Sequence, residues 1–144
     1  MSFAEGAKDK IAEAYQDVRD DSSETQWFYA SYPDDGKVID FFASGVDYEE
    51  FLAVLKDDNR CYAYARFETG DEMSRRAKFA FITWIGPSVS PLKKAKVSTD
   101  KAFIKSIVTS FGKEVLADEV SDLKKDKMTS LLEKASGAAY GTGK

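Results

Sequence analysis

The most informative stretch of hydrophobic and polar patterning in this chain is Phe79-Ala80-Phe81-Ile82-Thr83-Trp84-Ile85, where only Thr83 is polar. A run that apolar leaves no wet face, which predicts a strand covered on both sides near the middle of a sheet. Arg75, Arg76 and Lys78 lead directly into it, with no adjacent carboxylate nearer than Glu72. Those cations either blunt the end of a strand or wait for a partner, and a buried wall carrying fixed cations suits docking better than chemistry.

Elsewhere the periods switch between helix and strand. Ser2-Phe3-Ala4-Glu5 has capping-box spacing, and Ile11, Ala14, Tyr15 and Val18 then recur at helical intervals, predicting a first helix to about Asp20. Residues 26–32 and 38–44 are β-rich and flank Tyr32-Pro33-Asp34-Asp35-Gly36, which predicts a hairpin. Asp47 to Glu50 is a second capping signature, followed by Tyr48, Phe51, Leu52 and Leu55 on one helical face. Arg60 to Phe67 places Cys61, Ala63 and Ala65 on one side and Tyr62, Tyr64 and Arg66 on the other. Small residues let a helix lie close, so this strand is expected to be internal, with Cys61 as inert core. The polar segment Glu68 to Ser74 is expected to turn the chain into a second hairpin.

After the connector Gly86 to Pro91, the pattern predicts a long helix to about Phe111. Pro91 suits its first position, and Phe103, Ile104, Ile107, Val108 and Phe111 form its buried face. Lys94, Lys101 and Lys105 fall within about 40° at ~100° per residue, while Lys93 and Lys96 project nearer the apolar side. Val97-Ser98-Thr99 is a weak helical triplet where a bend is expected. Lys113 to Ala117 reads as a last strand. From Ser121 a final helix turns Met128, Leu131, Leu132 and Ala135 inward and leaves Lys134 outside. The order predicts an α/β (α+β) fold, with a central mixed five-stranded sheet sandwiched between helices in a single domain spanning 1–136. Residues 137–144 carry no core-forming pattern and are expected to be a flexible tail.

Composition narrows the function. The net charge is -4 and histidine is absent. The acidic balance argues against general nucleic-acid binding, and the missing imidazole removes the commonest general base, the usual nucleophile pairs and most zinc sites. A single cysteine excludes an internal disulfide and fits a reducing cytosol. No 18-residue apolar run or cationic-then-apolar leader is present, so a soluble intracellular protein is expected. Between Arg75 and Lys113 lie nine Lys or Arg against one acid, Asp100, and this local basic surface on an acidic molecule favours an acidic macromolecular partner.

The order of elements and several strings resemble the ADF/cofilin-homology family, and within it the coactosin branch. The strings are Ala14-Tyr15-Gln16-Asp17-Val18-Arg19-Asp20-Asp21, Arg66-Phe67-Glu68-Thr69-Gly70-Asp71, Met73 through Gly86, Ala95 through Lys101, and Lys134 through Tyr140. The resemblance implies actin binding, chiefly along the filament side, with no cofactor, no metal and no enzymatic activity. Lys78 matches the lysine at the head of the fourth strand that coactosins use on filaments. The implied contact set is Lys78, Arg75, Arg76, Lys93, Lys94, Lys96, Lys101, Lys105 and Lys134, on a monomeric, cytoplasmic, cytoskeleton-associated protein. Where cofilins carry bulky apolar residues in the first half of the long helix, this chain has Lys94-Ala95-Lys96-Val97-Ser98-Thr99. That departure weighs against tight monomer binding and severing. Cofilins are also inhibited by phosphorylation of a serine near the start, which makes Ser2 a candidate switch, although its plain reading is a helix cap.

Alternatives on the same residues are a cofilin-like monomer-binding or severing factor and a phosphoinositide-binding membrane-surface module using the same lysines. Actin filaments, with weaker contact to monomers, are the expected partner, and nucleic acid is not. Carboxylate pairs such as Asp20/Asp21, Asp34/Asp35 and Asp57/Asp58 fall in turns or helix ends, where solvated acids are usual. Gly141-Thr142-Gly143-Lys144 is only faintly phosphate-loop-like, because no helix follows it.

Overall fold

The computed structural model describes residues 3–33, 36–71 and 73–141, with the side chains of 71, 74 and 136–141 left out. Its elements are α1 (Ala7–Arg19), β1 (Trp27–Ser31), β2 (Asp40–Gly45), α2 (Tyr48–Val54), β3 (Arg60–Asp71), β4 (Ser74–Ile85), α3 (Pro91–Lys105), β5 (Lys113–Ala117), a 3-10 turn (Val120–Leu123) and α4 (Lys125–Gly141). The strands form one sheet in the order β2-β1-β3-β4-β5. All neighbours are antiparallel except β4 and β5, which run parallel. This is the mixed five-stranded sheet between helices that the patterning predicts.

Alternation along β3 builds two cores. Cys61, Ala63, Ala65 and Phe67 face α2 and α4, together with Ala80, Ile82 and Trp84 of β4 and Met128 and Leu132 of α4. Tyr62 and Tyr64 face the opposite way, packing with Phe28, Phe81, Ile11 and Val18 of α1, and Val97 and Ile104 of α3. Cys61 is free and buried, and burial pushes its thiol up to about 12, so it is inert as expected. Within β4, Thr83 is fully buried and its Oγ1 has no hydrogen-bond partner among the described residues. An orphaned hydroxyl retains its desolvation cost, so Thr83→Val is expected to raise stability by about 1 kcal/mol, read as a higher midpoint in thermal denaturation.

Four expectations are corrected. The first helix begins at Ala7 behind Gly6, which has φ 78 and makes no side-chain cap. Phe3 instead bridges to Ile39, and the Ala4 N–H donates to the Ile39 carbonyl at 2.8 Å. The segment that resembled a capping box is therefore consumed by strand pairing, and Ser2 lies outside the described residues. Second, residues 68–74 are not a long turn, because β3 and β4 stay paired out to Asp71 opposite Ser74. Third, the long helix stops at Lys105 and runs unbroken through Val97, which is fully buried and with Ile104 anchors it. Val108 is buried from the irregular stretch that follows, whereas Phe103 is 42% exposed, its ring 6.4 Å from that of Phe3 in an edge arrangement. That stretch is held by tyrosines: the Ser110 N–H donates to the Tyr15 hydroxyl at 3.1 Å, and the Tyr64 hydroxyl donates to the Ser110 carbonyl at 2.8 Å. Fourth, Ser121 belongs to the short 3-10 turn rather than to the last helix, which starts at Lys125. The predicted caps at Asp47 and Pro91 are present: Asp47 accepts from the Glu49 N–H, and Pro91 opens α3 behind Ser90.

A cationic overhang on the fourth strand

β5 starts at Lys113 opposite Ala80, so the first half of β4 runs beyond it as a ribbon with β3. Arg75, Arg76 and Lys78 all lie on this overhang. The register splits them. Lys78 and Arg76 stand opposite Phe67 and Thr69, on the side of the sheet covered by α4, whereas Arg75 stands opposite Gly70 on the other side. Arg75 and Arg76 are exposed and Lys78 is partly so, and none of the ion pairs among the described residues includes them. Glu68, a nearby carboxylate on β3, is already occupied, accepting from Arg66 Nε at 3.1 Å.

Beside the overhang is a cleft of about 420 Å³, walled by Ala77, Lys78 and Phe79 of β4, by Ser110 to Gly112, and by Leu132 and Ala135 of α4. Arg19, from the end of α1, also lines it. Its Nη1 donates to the Tyr64 hydroxyl at 3.0 Å, and its guanidinium lies 4.9 Å from the Phe79 ring centre. The hydrogen bond to Tyr64 raises the Arg19 pKa further, so the charge is fixed. Sequence patterning gave Arg19 no role beyond ending the first helix, because its approach to Phe79 depends on how α1 crosses the sheet. Lys134 is exposed on α4, one residue before Ala135 of the cleft wall.

The lysines of α3 do not join this group. Lys96 pairs with Asp100 at 3.0 Å, and that carboxylate, 6% exposed, also accepts from the Tyr32 hydroxyl at 2.8 Å. Lys101 and Lys105 both hold Glu114 of β5, at 3.2 and 2.8 Å. Burial alone would raise the Glu114 carboxyl, but hydrogen bonds from Lys105 and Lys101 bring it below the usual carboxylate range. Lys101 and Lys105 thus tie α3 to β5, while Lys96 is paired within its own helix, so of the expected stripe of Lys94, Lys101 and Lys105 only Lys94 stands outside the ion pairs among the described residues. Arg66 is likewise internal, 8% exposed at its side chain and bound to the Val18 carbonyl, Asp21 and Glu68.

Lys93 and Lys94 remain exposed in the first turn of α3, beside Leu92, which is 85% exposed. Lys94 borders a second cleft, about 290 Å³, with Ile85, Leu116, Ala117 and Asp118. Ile85 is seven residues past Lys78, roughly 23 Å along an extended strand at ~3.3 Å per residue, so the predicted cations form two separated groups. Among the described residues no group of His, Cys, Asp and Glu is arranged to hold a metal, and no helix is long and apolar enough to cross a membrane.

Residues 6–133 match the family described as cofilin/tropomyosin-type actin-binding protein. Coactosin-like protein of Homo sapiens is 44% identical over 133 residues, covering 92% of this chain and 92% of that protein. Coactosin of Dictyostelium discoideum is 34% identical over 146 residues, covering 99% and 98%. Among solved structures, human coactosin-like protein superposes with a TM-score of 0.83 at 42% identity, covering 88% of this chain and 95% of that one. Mouse coactosin, described as an actin filament binding protein, gives 0.76 at 43% identity, with 94% of each chain covered.

Proposed function

The chain belongs to the cofilin/tropomyosin-type actin-binding family, with coactosins as its relatives, and from that premise we propose that it binds the sides of actin filaments and modulates their dynamics without catalysing a reaction. The observation that carries this reading is the overhang of β4, where Arg75, Arg76 and Lys78 are held on a ribbon paired with β3, with no internal acid among the described residues to neutralise them. Lys134, beside the same cleft, extends the basic surface onto α4. An acidic polymer offers repeated carboxylates to such a surface, and complementary potentials speed encounter and fix orientation. Lys93 and Lys94, with Leu92 between them and the sheet connector, form a second contact of mixed apolar and cationic character. Lys96, Lys101 and Lys105 are assigned to the fold rather than to the partner. The protein acts as a cytoplasmic, cytoskeleton-associated monomer with no cofactor of its own.

Co-sedimentation with filaments tests this reading. The protein is expected to pellet with filaments at low salt and to return progressively to the supernatant as salt is raised, because exposed charges are screened beyond about 10 Å at 0.1 M. Filament length by microscopy is expected to stay unchanged. Protein remaining in the supernatant at low salt would reject filament binding, and shortened filaments would favour a severing role.

A further inference from the structure

Backbone groups on the β4 overhang support a second kind of binding. In a strand, the N–H and C=O of one residue point to the same edge, and successive residues alternate. The Phe79 carbonyl accepts from the Gly112 N–H at 2.7 Å, so Phe79 faces the β5 edge. By alternation Ala77 and Arg75 face that edge too, while Lys78 and Arg76 face β3. The Thr69 hydroxyl reaching the Arg76 carbonyl at 3.3 Å agrees with this assignment. β5 begins only opposite Ala80, and among the described residues no backbone bond reaches Ala77 or Arg75 from this side.

We propose that this free edge, at Arg75 and Ala77, accepts an extended acidic segment of a partner protein by strand addition. The guest strand would lie where β5 would continue if it began earlier, along the cleft walled by Ser110 to Gly112 and by Leu132 and Ala135. Main-chain pairing gives such contacts their affinity, and the flanking side chains choose the partner. Here the flanking groups are Arg75, Arg76, Lys78 and Arg19, and among the described residues no carboxylate lines the cleft. The same cations that suit an acidic guest repel the identical edge of a second copy, which accounts for an open edge on a protein that must avoid self-pairing. The main-chain groups of Ala77 and Arg75 play no part in the charge-based filament contact, so the inference goes beyond that reading and can fail independently of it.

The test uses the full chain and a fluorescein-labelled hexapeptide of alternating glutamate and valine, with a lysine–valine hexapeptide as control. Anisotropy is expected to rise with the acidic peptide and not with the basic one. In amide NMR spectra, the Ala77 and Arg75 N–H signals are expected to shift and to exchange at least about tenfold more slowly, while those of Lys78 and Arg76, already bonded to β3, change little. Ala77→Pro removes one edge donor without touching the β3 ladder, so it is expected to weaken peptide binding about tenfold or more while filament pelleting stays intact. The alternating amide response in the unmodified chain needs no variant to fold. No binding at millimolar peptide, equal binding of both peptides, or uniform shifts across residues 75–78 would each overturn the proposal.

Discussion

Gly86→Ala is expected to destabilise the protein by about 3 kcal/mol or more, lowering the thermal midpoint by roughly 10 °C or more. Gly86 follows the last residue of β4, and a Cβ there would run into the backbone of Lys56 and Asp57. Neither contact is with the end of a flexible side chain, so no rotamer change relieves it. The loop it would strike cannot retreat freely. The Ser88 N–H donates to the Asp57 carbonyl at 2.8 Å, the Gly86 N–H to the Asn59 carbonyl at 2.9 Å, and Trp84 Nε1 to the Lys56 carbonyl at 2.9 Å. Asn59 completes the brace, accepting from the Lys56 N–H at 2.8 Å and donating to the Val54 carbonyl at 3.0 Å. Moving the loop by the distance a methyl needs would break several of these bonds at once. Gly6 is the contrast: nothing lies within 4 Å of its would-be Cβ, and the cost there is only that of a left-handed backbone. Thermal unfolding followed by circular dichroism reads the difference, and a near-native midpoint for Gly86→Ala would show that the loop moves cheaply.

Much of the fold was legible because it follows from period alone. The alternation of Cys61, Ala63 and Ala65 with Tyr62 and Tyr64 identified β3 as internal, and it lies third in the sheet between β1 and β4. The errors fell where distant groups overrode a local pattern. Ser2 to Glu5 has capping spacing, but Ile39 recruits Phe3 and Ala4 into a bridge that local spacing does not reveal. Residues 103–111 have helical apolar spacing, yet hydrogen bonds between Ser110 and Tyr15 and Tyr64 reward an irregular path that still buries Val108.

The cations divide in the same way. The Lys96 to Asp100 tie is an i,i+4 pair and was readable in the sequence. Glu114 reaches Lys101 and Lys105 only because β5 runs beneath α3, which spacing along the helix could not indicate. Arg19 enters the cleft through tertiary packing, with no signal in its neighbours.

That division yields the largest functional contrast. Lys78→Glu is expected to reduce filament pelleting about tenfold or more, a change of ~1.4 kcal/mol or greater, because it replaces an attraction with a repulsion at the centre of the overhang. Its thermal midpoint is expected to stay close to that of the unmodified chain, since Lys78 has no internal acid among the described residues to lose. Lys101→Gln combined with Lys105→Gln changes the net charge by the same amount, but at side chains committed to Glu114. That pair is expected to lower stability modestly, by less than about 1 kcal/mol given its partial exposure, and to leave pelleting nearly unchanged. Net charge alone predicts equal losses of pelleting, because both variants make the molecule more negative by the same amount. Measuring both variants at matched ionic strength separates the two explanations. If the α3 pair weakened pelleting as much as Lys78→Glu, the filament would be sensing the overall field of the molecule, and the overhang would lose its special place. If Lys78→Glu instead lowered the melting midpoint together with pelleting, the lysine would be supporting β4 rather than meeting a partner.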